Sequence, residues 1–261
     1  MQKMIGIAEE IWSKKYKAEG EKSVEDMWRR TANAVASVEK DPTYWAEKFY
    51  KLQEGFSFIA GGRVSAGAGT KNNFLNNCAV LAIEDDSIDA IYEAVKKAAV
   101  LAKCNYGVGF DFSVVRPKGS KVSKGGSSSG PVSFMRVFDS SGAVIETGGG
   151  RRAAAIGVLR VDHPDIFEFI EAKRETGVLT QFNISVGVTQ KFLDAVEKDE
   201  DFDLVFGGSV YKTVPAKTIW KILTESAYNY NDPGILLIDE VNKYNNGWYI
   251  YDIQASNPCG Q

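Results

Sequence analysis

The sequence predicts an α/β fold built on a largely parallel sheet. Three observations carry this. Strand-like runs alternate with helical patterns from residue 78 to residue 238, the signature of strands joined by helical crossovers. Two of those runs, 78–83 and 235–238, are continuously apolar, as in strands covered on both faces. No glycine fingerprint joins a strand directly to a helix, which argues against Rossmann and P-loop modules.

Residues 3–54 read as helical. Ser23-Val24-Glu25-Asp26 has the form of a capping box opening an apolar stripe, and Asp41-Pro42 punctuates before a second one. Residues 55–77, rich in glycine and asparagine, are expected to be loop. After the strand at 78–83, Ser87 can cap a helix that places Ile88, Ile91, Tyr92, Val95, Ala99 and Ala102 on one face. Residues 107–112 read as the next strand, with glycines where something approaches closely, 116–130 as a polar loop carrying Lys118, Lys121 and Lys124, and 132–147 as a helix. The loop is compatible with simple mobility and with a phosphate clamp; Asp86 suits either a helix start or a ribose hydroxyl.

Arg151-Arg152 after three glycines suit anion contact or structural ion pairs equally. A strand follows over 153–161. Asp162-His163-Pro164-Asp165 should then start a helix, with the single histidine favoured as a structural hydrogen-bonding residue over an acid-base one. Residues 182–188 alternate as a strand with Asn183 and Ser185 on one face, and Thr189 caps the helix after it. A hairpin turns at Gly207-Gly208, Pro215 opens a long helix to 230, and 235–238 is the next strand.

Composition narrows the function classes. The chain has 261 residues, 44% hydrophobic and 25% charged, long enough to bury a substantial core. A net charge of -3 gives no electrostatic footprint for nucleic acid or an anionic membrane surface, so any anion site must be local. The sequence contains neither an apolar run long enough to span a bilayer nor a signal-peptide pattern, which points to a cytoplasmic location. With Cys78, Cys104 and Cys259 far apart and one histidine, zinc and disulfide-framework readings are poor and no metal site is expected. Cys259 follows an Asn-Pro turn signal and precedes glycine, a setting that suits a presented thiol as well as a small buried hydrophobe.

Several segments, in order, resemble the large subunit of adenosylcobalamin-dependent (class II) ribonucleotide reductase. They are the glycine-rich run 61–70, Asn76-Asn77-Cys78, Gly107-Val108-Gly109-Phe110-Asp111-Phe112-Ser113, Arg116-Pro117-Lys118-Gly119 and Ser129-Gly130-Pro131-Val132-Ser133-Phe134. Arg151-Arg152 with His163-Pro164-Asp165-Ile166, Phe182-Asn183-Ile184-Ser185 and Asn257-Pro258-Cys259-Gly260 complete the series. The resemblance implies an α/β fold that is about the first half of a ten-stranded barrel (56–261), preceded by a helical region (1–55). It implies reduction of ribonucleotides to 2'-deoxyribonucleotides by a thiyl radical, with adenosylcobalamin as cofactor. A non-catalytic deoxynucleotide-binding or regulatory fragment is the alternative.

By the same resemblance Cys259 is the thiyl site, Asn257 holds substrate beside it, and Cys78 is one member of the reducing dithiol. Asn77, Gly107 and Asn183 would line the substrate site, the last at the end of a loop (174–183) that reports effector identity. Asp86, Ser87, Arg116, Lys118 and Lys121 would bind a deoxynucleotide effector at a homodimer interface. The implied partners are a ribonucleotide, a dithiol reductant such as thioredoxin and a complementary C-terminal chain, with no nucleic acid and no membrane. One departure stands out: Gln261 occupies the position of the family's catalytic glutamate, and an amide cannot take up the proton a carboxylate can. The second redox cysteine and the later part of the barrel are expected beyond residue 261.

Overall fold

The computed structural model describes residues 6–71, 74–123, 125–145 and 154–260. It divides into two compact units, residues 1–77 and 78–261.

The first unit is helical: α1 (Ile7–Lys15), α2 (Val24–Ala36), α3 (Pro42–Gln53) and α4 (Gly62–Gly67). The expected capping box opens α2. Ser23 Oγ accepts from the Asp26 N–H, and the Ser23 N–H donates to Asp26 Oδ2 at 2.9 Å, satisfying two orphan groups of the first turn. Trp12, Val24, Met27 and Trp28 form its small core. The helix α4 corrects the expectation of a loop over 55–77. Its cause lies far away in sequence: the Arg30 guanidinium donates to Ser65 O at 2.9 Å and to Ala68 O, supplying a cation and donors to the helix C-terminus. Glu21 holds the same guanidinium at 2.7 Å. Gly69 completes the fit, since at φ +74° a Cβ there would lie 2.9 Å from Arg30 Cγ.

The second unit is a five-stranded, wholly parallel sheet in the order β1-β2-β3-β4-β7. Its strands are β1 (Cys78–Leu81), β2 (Gly107–Asp111), β3 (Ala155–Arg160), β4 (Phe182–Val188) and β7 (Gly234–Leu237). The crossovers contain α5 (Ile88–Lys103), α6 (Pro131–Val144), α7 (Ile166–Glu171), α8 (Gln190–Lys198) and α9 (Ala216–Tyr230). A separate antiparallel hairpin, β5 (Asp201–Phe206) and β6 (Ser209–Pro215), turns on Gly207 and Gly208, both at positive φ as such a tight turn requires. The short α10 (Ile238–Lys243) follows β7. Among the described residues no helix is long and apolar enough to cross a membrane.

One sheet face carries Phe110 and Phe182, packed with Phe112 and Phe138 at centroid distances of 4.8 to 6.4 Å. Full burial of each such side chain is worth about 1.5–3 kcal/mol, and this cluster anchors the main core. The opposite face is lined by smaller groups, which proves decisive for the site below.

Four local expectations are corrected here. β1 and β7 are the two edges of the sheet rather than strands covered on both faces, and Val80 is 49% exposed. Ile238 starts α10 instead of ending a strand. On α5 the inward face is Ile91, Ala94 and Ala102, while Ile88 and Tyr92 are exposed. The Asp162–Asp165 segment is a turn, and α7 begins only at Ile166.

His163 is structural, as favoured above. Its ring is buried, with Nε2 3.0 Å from Val115 O and Nδ1 accepting from the Asp165 N–H at 3.1 Å. Burial pushes the imidazole below its ordinary 6.5, outweighing the hydrogen bond and nearby carboxylates that favour the cation. The unfolded chain therefore binds the extra proton, so stability is fully present above pH 6.5 and falls as pH drops below it. We expect a loss of up to about 1 kcal/mol on going from pH 7.5 to 6, read from urea midpoints. As His163 is the only histidine, His163→Gln should flatten that difference.

Candidate active site

The terminal segment returns across the open face of the sheet. Two asparagines near the end of α10 place it: Asn242 donates to Ile253 O at 2.8 Å and accepts from the Ile253 N–H at 2.7 Å, and Asn245 donates to Tyr251 O at 2.8 Å. Ala255 is then buried. A turn closed by the Gly260 N–H on Asn257 O at 2.9 Å, with Gly260 at φ 74°, presents Cys259 to solvent.

The face is shaped to receive this segment. Side chains alternate along a strand, so Cys78, Gly107, Gly109, Asp111, Ile156 and Asn183 fall on one face by register. A Cβ on Gly109 would sit 1.9 Å from Ser256 O, a backbone atom with no room to yield. A Cβ on Gly107 would meet Pro258 Cγ at 3.0 Å and Cys78 Sγ at 3.2 Å. The absent side chain is thus the space in which the proline ring and the Cys78 thiol come together. From β4, Asn183 Nδ2 donates to Pro258 O at 3.1 Å.

The fold therefore gathers Cys78, Gly107, Asn183 and the Asn257–Gly260 turn at the N-terminal end of the sheet. Asn77 is exposed and closes the helical unit; Gln261, Lys124 and Arg151-Arg152 lie outside the described residues. No disulfide links Cys78, Cys104 and Cys259. Beside the segment an open-sided cavity of ≈ 670 Å³ runs from Cys78 along β1 to Asp111. Burial pushes the Asp111 carboxyl above its ordinary value, against the hydrogen bonds from Ser113.

Asp86, Ser87, Arg116, Lys118 and Lys121 collect at the other end of the sheet, beyond the C-termini of β1 and β2. Arg116 forms an ion pair with Asp86, and its guanidinium also donates to Asp86 O at 3.1 Å and Lys121 O at 3.2 Å. Ser87 Oγ caps α5 through the Ala90 N–H at 3.1 Å. A cavity of ≈ 670 Å³ opens there between Ser87, Arg116 and the serines 127–129. Sequence reasoning missed Asn242, Asn245 and Asp111, whereas the close approach expected at the glycines of the 107–112 strand is what Gly109 shows against Ser256.

Comparison with known proteins identifies the family. Residues 76–261 match the family described as ribonucleotide reductase, barrel domain, and residues 7–73 match ribonucleotide reductase, all-alpha domain. A vitamin B12-dependent ribonucleoside-diphosphate reductase of Thermoplasma acidophilum is 40% identical over 222 residues, covering 84% of this chain and 29% of the relative. Its namesake in Mycobacterium tuberculosis strain H37Rv is 38% identical over 248 residues, 92% of this chain and 35% of the relative. The ribonucleoside-diphosphate reductase large subunit of Variola virus is 28% identical, over 74% of this chain. The chain spans about a third of the length of the vitamin B12-dependent diphosphate reductases it matches. With both domains matched in order over nearly the whole chain, the chain belongs to the ribonucleotide reductase large-subunit family.

Proposed function

We propose that this chain supplies the helical domain and first part of the barrel of an enzyme that reduces ribonucleotides to 2'-deoxyribonucleotides through a thiyl radical at Cys259. The observation that carries the reading is the seating of the Cys259 segment on a sheet face cleared by Gly107 and Gly109, beside Cys78 and under the Asn183 latch. An exposed sulfur on a backbone held at both sides is suited to meet a substrate without moving.

In this reading the Cys259 sulfur takes the 3' hydrogen of the ribose, the 2' hydroxyl leaves as water with the proton it gains, and the hydrogen returns to C3' at the end. Cys78 and a second cysteine from the remainder of the enzyme supply the two electrons and become a disulfide. Asn257 orients the sugar, and Asn77, Gly107 and Asn183 bound it. Gln261 stands where a carboxylate would manage the 3' hydroxyl proton. An external dithiol protein of the thioredoxin type restores the thiols.

Adenosylcobalamin, when bound, supplies the one-electron oxidation that converts a thiol to a thiyl. The solvent-facing Cys259 fits that chemistry, whereas no described cavity of this chain is assigned to the corrin. At the far end, Asp86, Ser87, Arg116, Lys118 and Lys121 bind a deoxynucleotide effector in a homodimer. The test is a complementation assay: the chain, a polypeptide carrying the remainder of a relative, adenosylcobalamin, a ribonucleotide and a dithiol. Cofactor-dependent deoxyribonucleotide is the expected product; nucleotide binding without turnover would replace this reading by a regulatory one.

A further inference from the structure

We propose that the ion pair between Lys173 and Asp232 is a positioning device for Asn183 and, through it, for the turn that carries Cys259, a role whose bearing on catalysis rests on the reading of Cys259 as the reacting thiol. The need for such a device lies in the sheet. β7 begins only at Gly234, opposite Ser185. Gln181 O accepts from the Ala155 N–H of β3, so one residue on, Phe182 O points away from β3, and the Ile184 N–H points the same way. These two groups flank Asn183 and lie ahead of the β4–β7 ladder. Main-chain groups inside a fold require partners.

Two side chains stand in for the missing length of strand. The Lys173 ammonium donates to Phe182 O, Asp232 Oδ1 accepts from the Ile184 N–H at 3.3 Å, and Asp232 Oδ2 pairs with Lys173 at 2.7 Å. The side chains are only 19% and 17% exposed, so salt and solvent screen the pair little. Both members are anchored at helix ends. Lys173 lies just beyond α7, beside Arg174, whose guanidinium donates to the buried Ser226 Oγ at 2.9 Å. Asp232 follows Asn231, the left-handed cap of α9.

Phe182 and Ile184 point into the main core, which sends the Asn183 side chain between them to the open face. There its Nδ2 donates to Pro258 O, the carbonyl next to Cys259. A short amide aims only as well as its backbone is fixed. The pair fixes that backbone on both sides of the asparagine.

Hydrogen exchange at residues 255–260 of the 261-residue chain tests the assignment. Lys173→Met should speed exchange there by about 5-fold, the scale of one lost hydrogen bond, and Asn183→Ala by at least as much. Because the pair acts through Asn183, both changes together should do no more than Asn183→Ala alone, a coupling that a merely structural role would not produce. Lys173→Arg keeps the charge and the donors and should restore slow exchange. Removing one partner strands a buried charge; if Lys173→Met does not fold, Lys173→Met/Asp232→Leu removes both charges and takes its place in the same cycle. Additive effects, or exchange at 255–260 unmoved by loss of the pair or by Asn183→Ala, would overturn the proposal. Failure of the complementation assay strikes the thiyl reading and leaves the exchange coupling standing, so the two failures are distinguishable.

Discussion

Gly109→Ala is expected to dislodge the terminal segment and reduce turnover in the complemented enzyme by at least about 100-fold, the scale of a misplacement of order 1 Å. The added Cβ would lie 1.9 Å from Ser256 O and 3.1 Å from Ile156 Cγ2. No rotamer change relieves a clash with a main-chain oxygen, so the segment must lift, and with it goes the Asn183 bond to Pro258 O. The stability cost of such overpacking is only about 1–3 kcal/mol, so the variant should fold. Hydrogen exchange at 255–258 reads the displacement directly. Gly187→Ala is the matched control: it lies in the same sheet, and its Cβ would meet neighbours only at 3.6 Å and beyond. If exchange at 255–258 and turnover are unaltered by Gly109→Ala, the seating described for Cys259 is not what activity requires.

Cys259→Ser should take deoxyribonucleotide formation to background, a fall of at least about 1000-fold against the rate enhancements enzymes supply. An alcohol O–H is too strong a bond for the reversible hydrogen transfer that a thiol S–H permits. The exposed position of Cys259 means that the change removes chemistry and not packing, and unaltered unfolding midpoints should confirm it. Cys78→Ser separates the two thiol roles, because it should block the reduction while leaving the Cys259 sulfur in place. Product surviving Cys259→Ser would sink the thiyl assignment, and with it the reading of the gathered residues as an active site.

Much of this molecule was legible from local pattern. The Ser23 box, the Ser87 and Thr189 caps, the Gly207-Gly208 turn and the long helix after Pro215 all formed where expected, because each depends on residues within a few positions of one another. The order of motifs ending in Asn257-Pro258-Cys259-Gly260 pointed to a family and a chemistry before any fold was in view. Failures occurred where a distant neighbour decides. The helix at Gly62–Gly67 depends on Arg30, some thirty-five residues earlier. The edge status of β1 and β7 depends on which strands stand beside them, and an apolar run reads the same with one neighbour as with two.

The sequence by itself determined the alternation of strands and helices, the caps, the absence of any metal-ligand spacing and the candidate thiols. Only the tertiary structure decided that Cys78, Gly107, Gly109 and Asn183 share one face, and that the Pro258 ring fills the space a side chain would take. It also showed the effector candidates gathered at the opposite end of the same sheet. The physical reason is register: side-chain direction along a strand follows from a period of two, but which residues of different strands stand together follows from hydrogen-bonded pairing across tens of residues.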